Sequence, residues 1–267
     1  MIEWYQAIIL ALLQGATEFL PISSSAHLVI PSLVFDWPDQ GLAFDVAVHV
    51  GTLLAVLWYY RADLVTMAHA WGHSLTGGRS SADSRLVWYL ALATIPAGVI
   101  GFVGRDFIES EFRSLGVIAT TTLVFGLLLG LADRWGPKSG SGVAMSVLVA
   151  FLIGIAQAMA LVPGVSRSGA TITAGLFLGL DRANAARFSF LLSIPIIAAA
   201  GVLKGWDLHT SDVAVNVSMM AAGVLISGVT AYLCIAVFLR LLDRVGMQPF
   251  VYYRVILAFL LYAIWLY

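Results

Sequence analysis

Apolar residues fill this chain in long runs separated by short charged or glycine-rich breaks. The runs fall at 2–20, 44–60, 86–104, 115–132, 143–162, 172–180, 188–203, 213–239 and 250–266. Most approach or exceed the roughly 17 to 25 residues that a helix needs to cross a bilayer, and each of these predicts a spanning helix. Two places break the pattern. The first run enters "EFLPISSSAHLVIP" (18–31), where a glutamate, three serines and a histidine crowd around prolines. The fifth enters "VPGVSRSGATIT" (162–173), with Arg167 where hydrocarbon is expected, and the piece that follows it, 172–180, is too short to span.

Composition decides the fold class. Hydrophobic residues make up 60% of the 267 and charged ones 11%, with a mean hydropathy of +0.94. A soluble domain carries about 25% charged residues. Lipid offers no partner to an unpaired backbone, and the runs are too continuous for barrel strands, so the chain reads as an all-α polytopic membrane protein in a single domain, 1–267. The first run carries Glu3, has no basic residue and ends in Gln14 and Glu18, which predicts a part of the mature structure and not a cleaved signal. Cys234, the one cysteine, lies inside 213–239 and reads as a small buried hydrophobe. A net charge of -1 gives no footing for a nucleic-acid partner.

The two odd places resemble each other. Gln14 and Gln157, Ser23 and Ser166, Ser25 and Ser168, and Ala26 and Gly169 all pair at an offset of 143, with proline displaced by one position. This predicts two repeat halves, approximately 1–132 and 143–267, joined by "DRWGPKSGSG" (133–142). If each odd segment dips into the membrane, breaks at its proline and returns, three crossings (44–60, 86–104 and 115–132) separate the dips. Three is odd, so the dips enter from opposite faces: an inverted-topology repeat with two re-entrant broken helices, tolerated where irregular backbone is enclosed by protein. Loops 61–85, 133–142, 181–187 and 240–249 then share one face and hold nine Lys or Arg residues, against three (Arg105, Arg113 and Lys204) on the other. The positive-inside rule makes the first face cytoplasmic and puts both termini outside.

Glu18, His27 and Arg167 are expensive in a membrane, since a charge at the centre of a spanning helix costs about 2.5–3.5 kcal/mol on insertion scales. "PGVSRSGAT" offers an oxyanion cradle: the Arg167 fork, the hydroxyls of Ser166, Ser168 and Thr171, and amides ahead of a short helix, with Gly164 and Gly169 permitting close backbone approach. The first segment offers a carboxylate (Glu18), hydroxyls (Ser23, Ser24 and Ser25) and an imidazole (His27). One side grips an anion and the other attacks it, which reads as phosphate transfer or hydrolysis inside a membrane. A carrier with mid-membrane broken helices is the competing class.

"QGATEFLPISSSAH" and "PGVSRSGATIT" resemble the two signature motifs of the undecaprenyl-diphosphate phosphatase family, bacterial membrane enzymes that recycle the lipid carrier of cell-wall synthesis. Gln14 and Glu18 fill the first motif; Pro163, Gly164, Ser166, Arg167, Ser168 and Thr171 fill the second. The resemblance implies removal of the terminal phosphate of undecaprenyl diphosphate in the bacterial cytoplasmic membrane, assisted by a divalent cation, Mg²⁺ or Ca²⁺. It puts Glu18, Ser24, His27 and Arg167 among catalytic or phosphate-binding groups. Glu18 and Gln14 would hold the metal, although Gln14 stands where many members carry glutamate and brings a carbonyl without charge. Expected partners are the polyprenyl diphosphate lipid and membrane lipids, with a homodimer left open. Ser24 is the expected nucleophile, with His27 as acid or base; phosphorylation of His27 and direct water attack are the alternatives.

Other polar groups read as local. Asp45 and His49 share a helix face at i, i+4 and could satisfy each other or support the site. Arg254 reads as snorkelling to the interface. His69, His73 and His209 fall in loops without ligand spacing, and the Trp and Tyr residues near run ends, such as Trp58 and Trp265, fit interfacial belts.

Overall fold

The computed structural model describes residues 2–112, 114–137, 141–210 and 216–266. Arg113 and Lys138, both counted in the charge asymmetry, lie outside the described residues, as do part of the 133–142 linker and the first residues of the 213–239 run. The described chain is helical: α1 (Trp4–Thr17), α2 (Ser24–Val34), α3 (Gly41–Tyr59), α4 (Arg61–Leu75), α5 (Ala82–Val103), α6 (Arg105–Glu111), α7 (Leu115–Trp135), α8 (Val147–Met159), α9 (Arg167–Phe177), α10 (Arg182–His209), α11 (Val217–Val245) and α12 (Gln248–Leu266). Small polar residues start many of them. Side chains of Ser114, Ser146, Ser166, Asp181 and Asn216 each accept an amide hydrogen from the first turn of α7, α8, α9, α10 and α11, satisfying donors that a helix leaves orphaned.

Six helices, α3, α5, α7, α10, α11 and α12, are long and apolar enough to cross a membrane. Their outward positions carry large exposed hydrophobics such as Phe102, Leu225, Leu233 and Phe259, the surface of a multi-pass protein in lipid. Close approach between spans depends on small residues. A Cβ at Gly51 of α3 would collide with Ser227 Oγ and the Val224 carbonyl of α11, and Ser227 Oγ donates to the Val48 carbonyl at 2.9 Å.

α1 and α8 are different. At 14 and 13 residues and 1.5 Å per residue each is about 20 Å long, short of the roughly 30 Å hydrocarbon core. Each breaks at a proline turn and continues as an 11-residue helix, α2 or α9. The helix starts Trp4 and Val147, Ser24 and Arg167 are both offset by 143. At the same offset, Ser23 and Ser166 are caps with left-handed φ of 73° and 70°, a strained conformation for a residue with a Cβ. Three candidate spans, α3, α5 and α7, separate the hairpins along the chain, and the hairpins meet tip to tip. Ser168 Oγ of the second donates to the Leu20 carbonyl of the first at 2.7 Å.

Several boundaries differ from the pattern reading. Residues 61–75 are not loop but helix α4, whose charged and polar positions hide its period, so His69 and His73 are helical; His209 closes α10. α9 begins at Arg167, five residues ahead of the apolar piece 172–180, because Ser166 supplies an N-cap there.

Candidate active site

The hairpin tips and the packed faces of α3 and α10 enclose a cavity of about 200 Å³. Its wall brings together Glu18, Ser23, Ser24, Ser25, Ser166 and Arg167 from the two breaks. Glu18, 8% exposed, is the hub. Its Oε1 accepts from Arg167 Nη2 at 3.1 Å, and its Oε2 accepts from Ser24 Oγ at 2.7 Å and from Gln14 Nε2 at 3.0 Å. Residues 149 positions apart thus form an ion pair. The Ser24 hydroxyl is already aimed at a carboxylate oxygen able to take its proton.

Arg167 is an open cation. Its Nη1 donates to the Ser189 carbonyl at 3.1 Å, so two of the five guanidinium N–H groups are engaged and three remain. Nε is buried without a hydrogen-bond partner. A donor desolvated in this way is costly unless a ligand meets it.

The other nominated groups sit behind this wall. Ser168 Oγ is spent on the Leu20 carbonyl. Thr171 Oγ1 bonds the Arg167 carbonyl at 2.8 Å and Ser189 Oγ at 2.7 Å, tying the start of α9 to α10. Gly164, at φ +89°, lies against Thr121 and the Ile118 carbonyl of α7, and Gly169 makes room for Arg254 and Ser166. Both glycines therefore serve protein packing in this structure. Gln14 is fully buried beneath Glu18 with its Oε1 unpartnered.

His27 is also off the wall. Its Nδ1–H donates to the Ser23 carbonyl at 2.7 Å, which leaves Nε2 to accept from the Tyr253 hydroxyl at 2.5 Å; the two rings stack 5.6 Å apart. Instead, the imidazole on the cavity wall belongs to His49, whose neighbours there are Asp45 and Lys204. His49 Nδ1–H donates to the Asp45 backbone carbonyl at 2.7 Å, while the Asp45 carboxylate accepts from Gln40 Nε2 at 3.0 Å. The i, i+4 spacing marks the shared face; only the fold turns that face to the cavity. Lys204 has no sequence signal beyond its charge.

The snorkelling expected of Arg254 is overturned. Its relative exposure is 0%. All five N–H groups donate to backbone carbonyls: Thr122 (3.1 Å) and Thr121 (3.4 Å) on α7, Pro21 (3.2 Å) in the first break, and Gly164 (2.9 Å) and Val165 (3.0 Å) in the second. Each break frees carbonyls that lipid cannot satisfy, and one fork serves both. Arg254 is saturated where Arg167 is not.

The family model for bacitracin resistance protein BacA matches residues 7–260. The chain belongs to the BacA family. Relatives named undecaprenyl-diphosphatase are 60% identical in Alcanivorax borkumensis (96% of this chain and 97% of the relative) and 54% identical in Hahella chejuensis (99% and 98%). A third, from Teredinibacter turnerae, is 54% identical over 96% of this chain and 97% of its own. For this BacA chain, every wall residue named above lies within the matched region.

Proposed function

We propose that this chain is an undecaprenyl-diphosphatase, hydrolysing undecaprenyl diphosphate to undecaprenyl phosphate and inorganic phosphate. One observation carries the reading: inside a membrane bundle, a serine hydroxyl lies 2.7 Å from a carboxylate whose other oxygen holds an arginine with three free N–H groups. Ser24 Oγ gives its proton to Glu18 and attacks the terminal phosphorus; the bond to the bridging oxygen breaks and undecaprenyl phosphate leaves. Water then attacks the phosphoserine, the Oγ–P bond breaks as Ser24 regains its proton from Glu18, and inorganic phosphate departs carrying the water's oxygen and protons. Arg167 stabilises the charge that gathers on the equatorial oxygens. His27 acts at one remove, holding the Ser23 turn and therefore Ser24.

A divalent cation, Mg²⁺ or Ca²⁺, fits as an assistant. Among the described residues there is no cluster of three His, Cys, Asp or Glu side chains able to hold a metal, but the oxygen donors near the cavity suit a hard cation completed by substrate phosphate and water. Glu18 would hold it, with the unpartnered Gln14 Oε1 behind. The ion would neutralise phosphate charge.

The reading extends to placement. The two halves, 1–132 and 143–267, act as opposed units in the bacterial cytoplasmic membrane, with both termini outside. The cavity then opens outward, because the ends of α3 and α10 that line it lie on the face poor in Lys and Arg. The test is phosphate release by detergent-solubilised protein given polyprenyl diphosphate. An enzyme needs no compartment, so inorganic phosphate accumulates, and Arg167→Ala abolishes it while the variant stays folded. A pure carrier releases none.

A further inference from the structure

A lipid diphosphate brings two phosphorus centres, and the Ser24, Glu18 and Arg167 constellation accounts for one. The charges on the cavity wall say what is left for the other. Glu18 and Asp45 contribute two negative charges and Arg167 and Lys204 two positive, a formal sum of zero with His49 neutral. Glu18 and Arg167 are paired with each other, and the Asp45 carboxylate is held by Gln40. His49 has one ring nitrogen committed to the Asp45 carbonyl. Lys204 is different: it is half-buried, it lines the cavity, and among the described residues it has no ion-pair or hydrogen-bond partner. A nearby acid on its own helix, Asp207, is engaged by Arg105 at 2.7 Å, so it does not draw the ammonium away.

Position separates Lys204 from the reacting centre. The catalytic trio sits at the hairpin tips, whereas Lys204 stands in the last two turns of α10, beyond the small, apolar wall of Ile196, Ile197, Ala200 and Gly201. A phosphoryl group seated on Ser24 and Arg167 leaves the inner phosphate, and the chain attached to it, on the outlet side of the cavity. We infer that Lys204 is the subsite for the inner, lipid-bound phosphate, and that it selects a diphosphate by gripping the half of the head group that is not transferred. A flexible ammonium suits this task, since it follows a phosphate that changes charge as the bridging bond breaks, without the fixed fork of a guanidinium. The inference rests on the diphosphatase reading.

The test uses the two products as separate probes of the two phosphate positions. In detergent, inhibition of phosphate release is measured with undecaprenyl phosphate and with inorganic phosphate, for the wild type, Lys204→Gln and Lys204→Arg. Lys204→Gln raises the inhibition constant of undecaprenyl phosphate at least tenfold, raises KM for the diphosphate in the same direction and leaves the constant for inorganic phosphate within twofold; Lys204→Arg recovers most of the difference. An unchanged constant for undecaprenyl phosphate overturns the subsite, and so does a parallel rise for both products, which would move Lys204 to the transferred phosphate. Failure of the wild type to release any phosphate is a distinct result and refutes the diphosphatase reading itself.

Discussion

Replacing Arg254 by methionine isolates the brace between the two breaks. The substitution keeps an unbranched side chain of similar length and removes a guanidinium that donates to five carbonyls at 2.9–3.4 Å. Hydrogen bonds to charged groups contribute about 1.5–3 kcal/mol each, so the gross loss is large. Dehydrating the guanidinium opposes it, and each buried carbonyl left without a donor costs about 1–3 kcal/mol, so two or three that stay unpaired after relaxation cost about 3–5 kcal/mol in net terms. Against a total stability of about 5–15 kcal/mol, that is a large fraction. At about 2–4 °C per kcal/mol for chains of this order of size, the melting midpoint falls by roughly 6 to 20 °C. Turnover falls further than stability requires, because Pro21, Gly164 and Val165 flank Ser23 and Ser166, the caps that set the cavity wall. Arg254→Lys, with three donors for five carbonyls, lies between. The assay is thermal unfolding in detergent beside phosphate release at a temperature where every variant is folded. Wild-type melting and turnover in Arg254→Met would refute the brace.

Three further outcomes follow from the same geometry. Glu18→Gln leaves a near-isosteric amide that cannot take the Ser24 proton, so phosphate release drops at least about a hundredfold, the usual scale of general-base loss; near-normal release would remove Glu18 from the chemistry. Tyr253→Phe deletes only the hydroxyl at His27 Nε2 and lowers turnover less than tenfold, whereas a loss equal to that of Ser24→Ala would put the imidazole in the reaction. Gly51→Ala forces α3 from α11, where Ser227 Oγ and the Val224 carbonyl already touch the glycine's open side, and destabilises by about 1–3 kcal/mol as an overpacked site; unchanged thermal unfolding would show that the helices can part freely.

Both hairpins are legible in the amino-acid sequence. The serine caps, the proline breaks and the 143-residue offset are local signals that locate them, and the oddity of Glu18 and Arg167 in apolar surroundings nominates their pair. What stays hidden is tertiary. Arg254, close after the start of an apolar run, looks like any interfacial arginine, because the carbonyls that hold it belong to three distant elements. His27 shares a motif with Ser24, yet the turn at Ser23 directs its ring toward Tyr253, 226 residues away. Lys204 and His49 reach the cavity only because α10 packs along α3. α4 escapes notice because its polar residues interrupt the apolar pattern that reveals the spans.

The account turns on Ser24 attacking the terminal phosphorus, and acid-quenched single turnover with polyprenyl diphosphate labelled in that phosphate measures this most directly. The label is expected as an acid-stable phosphoserine on the peptide carrying Ser24, absent in Ser24→Ala. Label on His27, lost in acid, would contradict it.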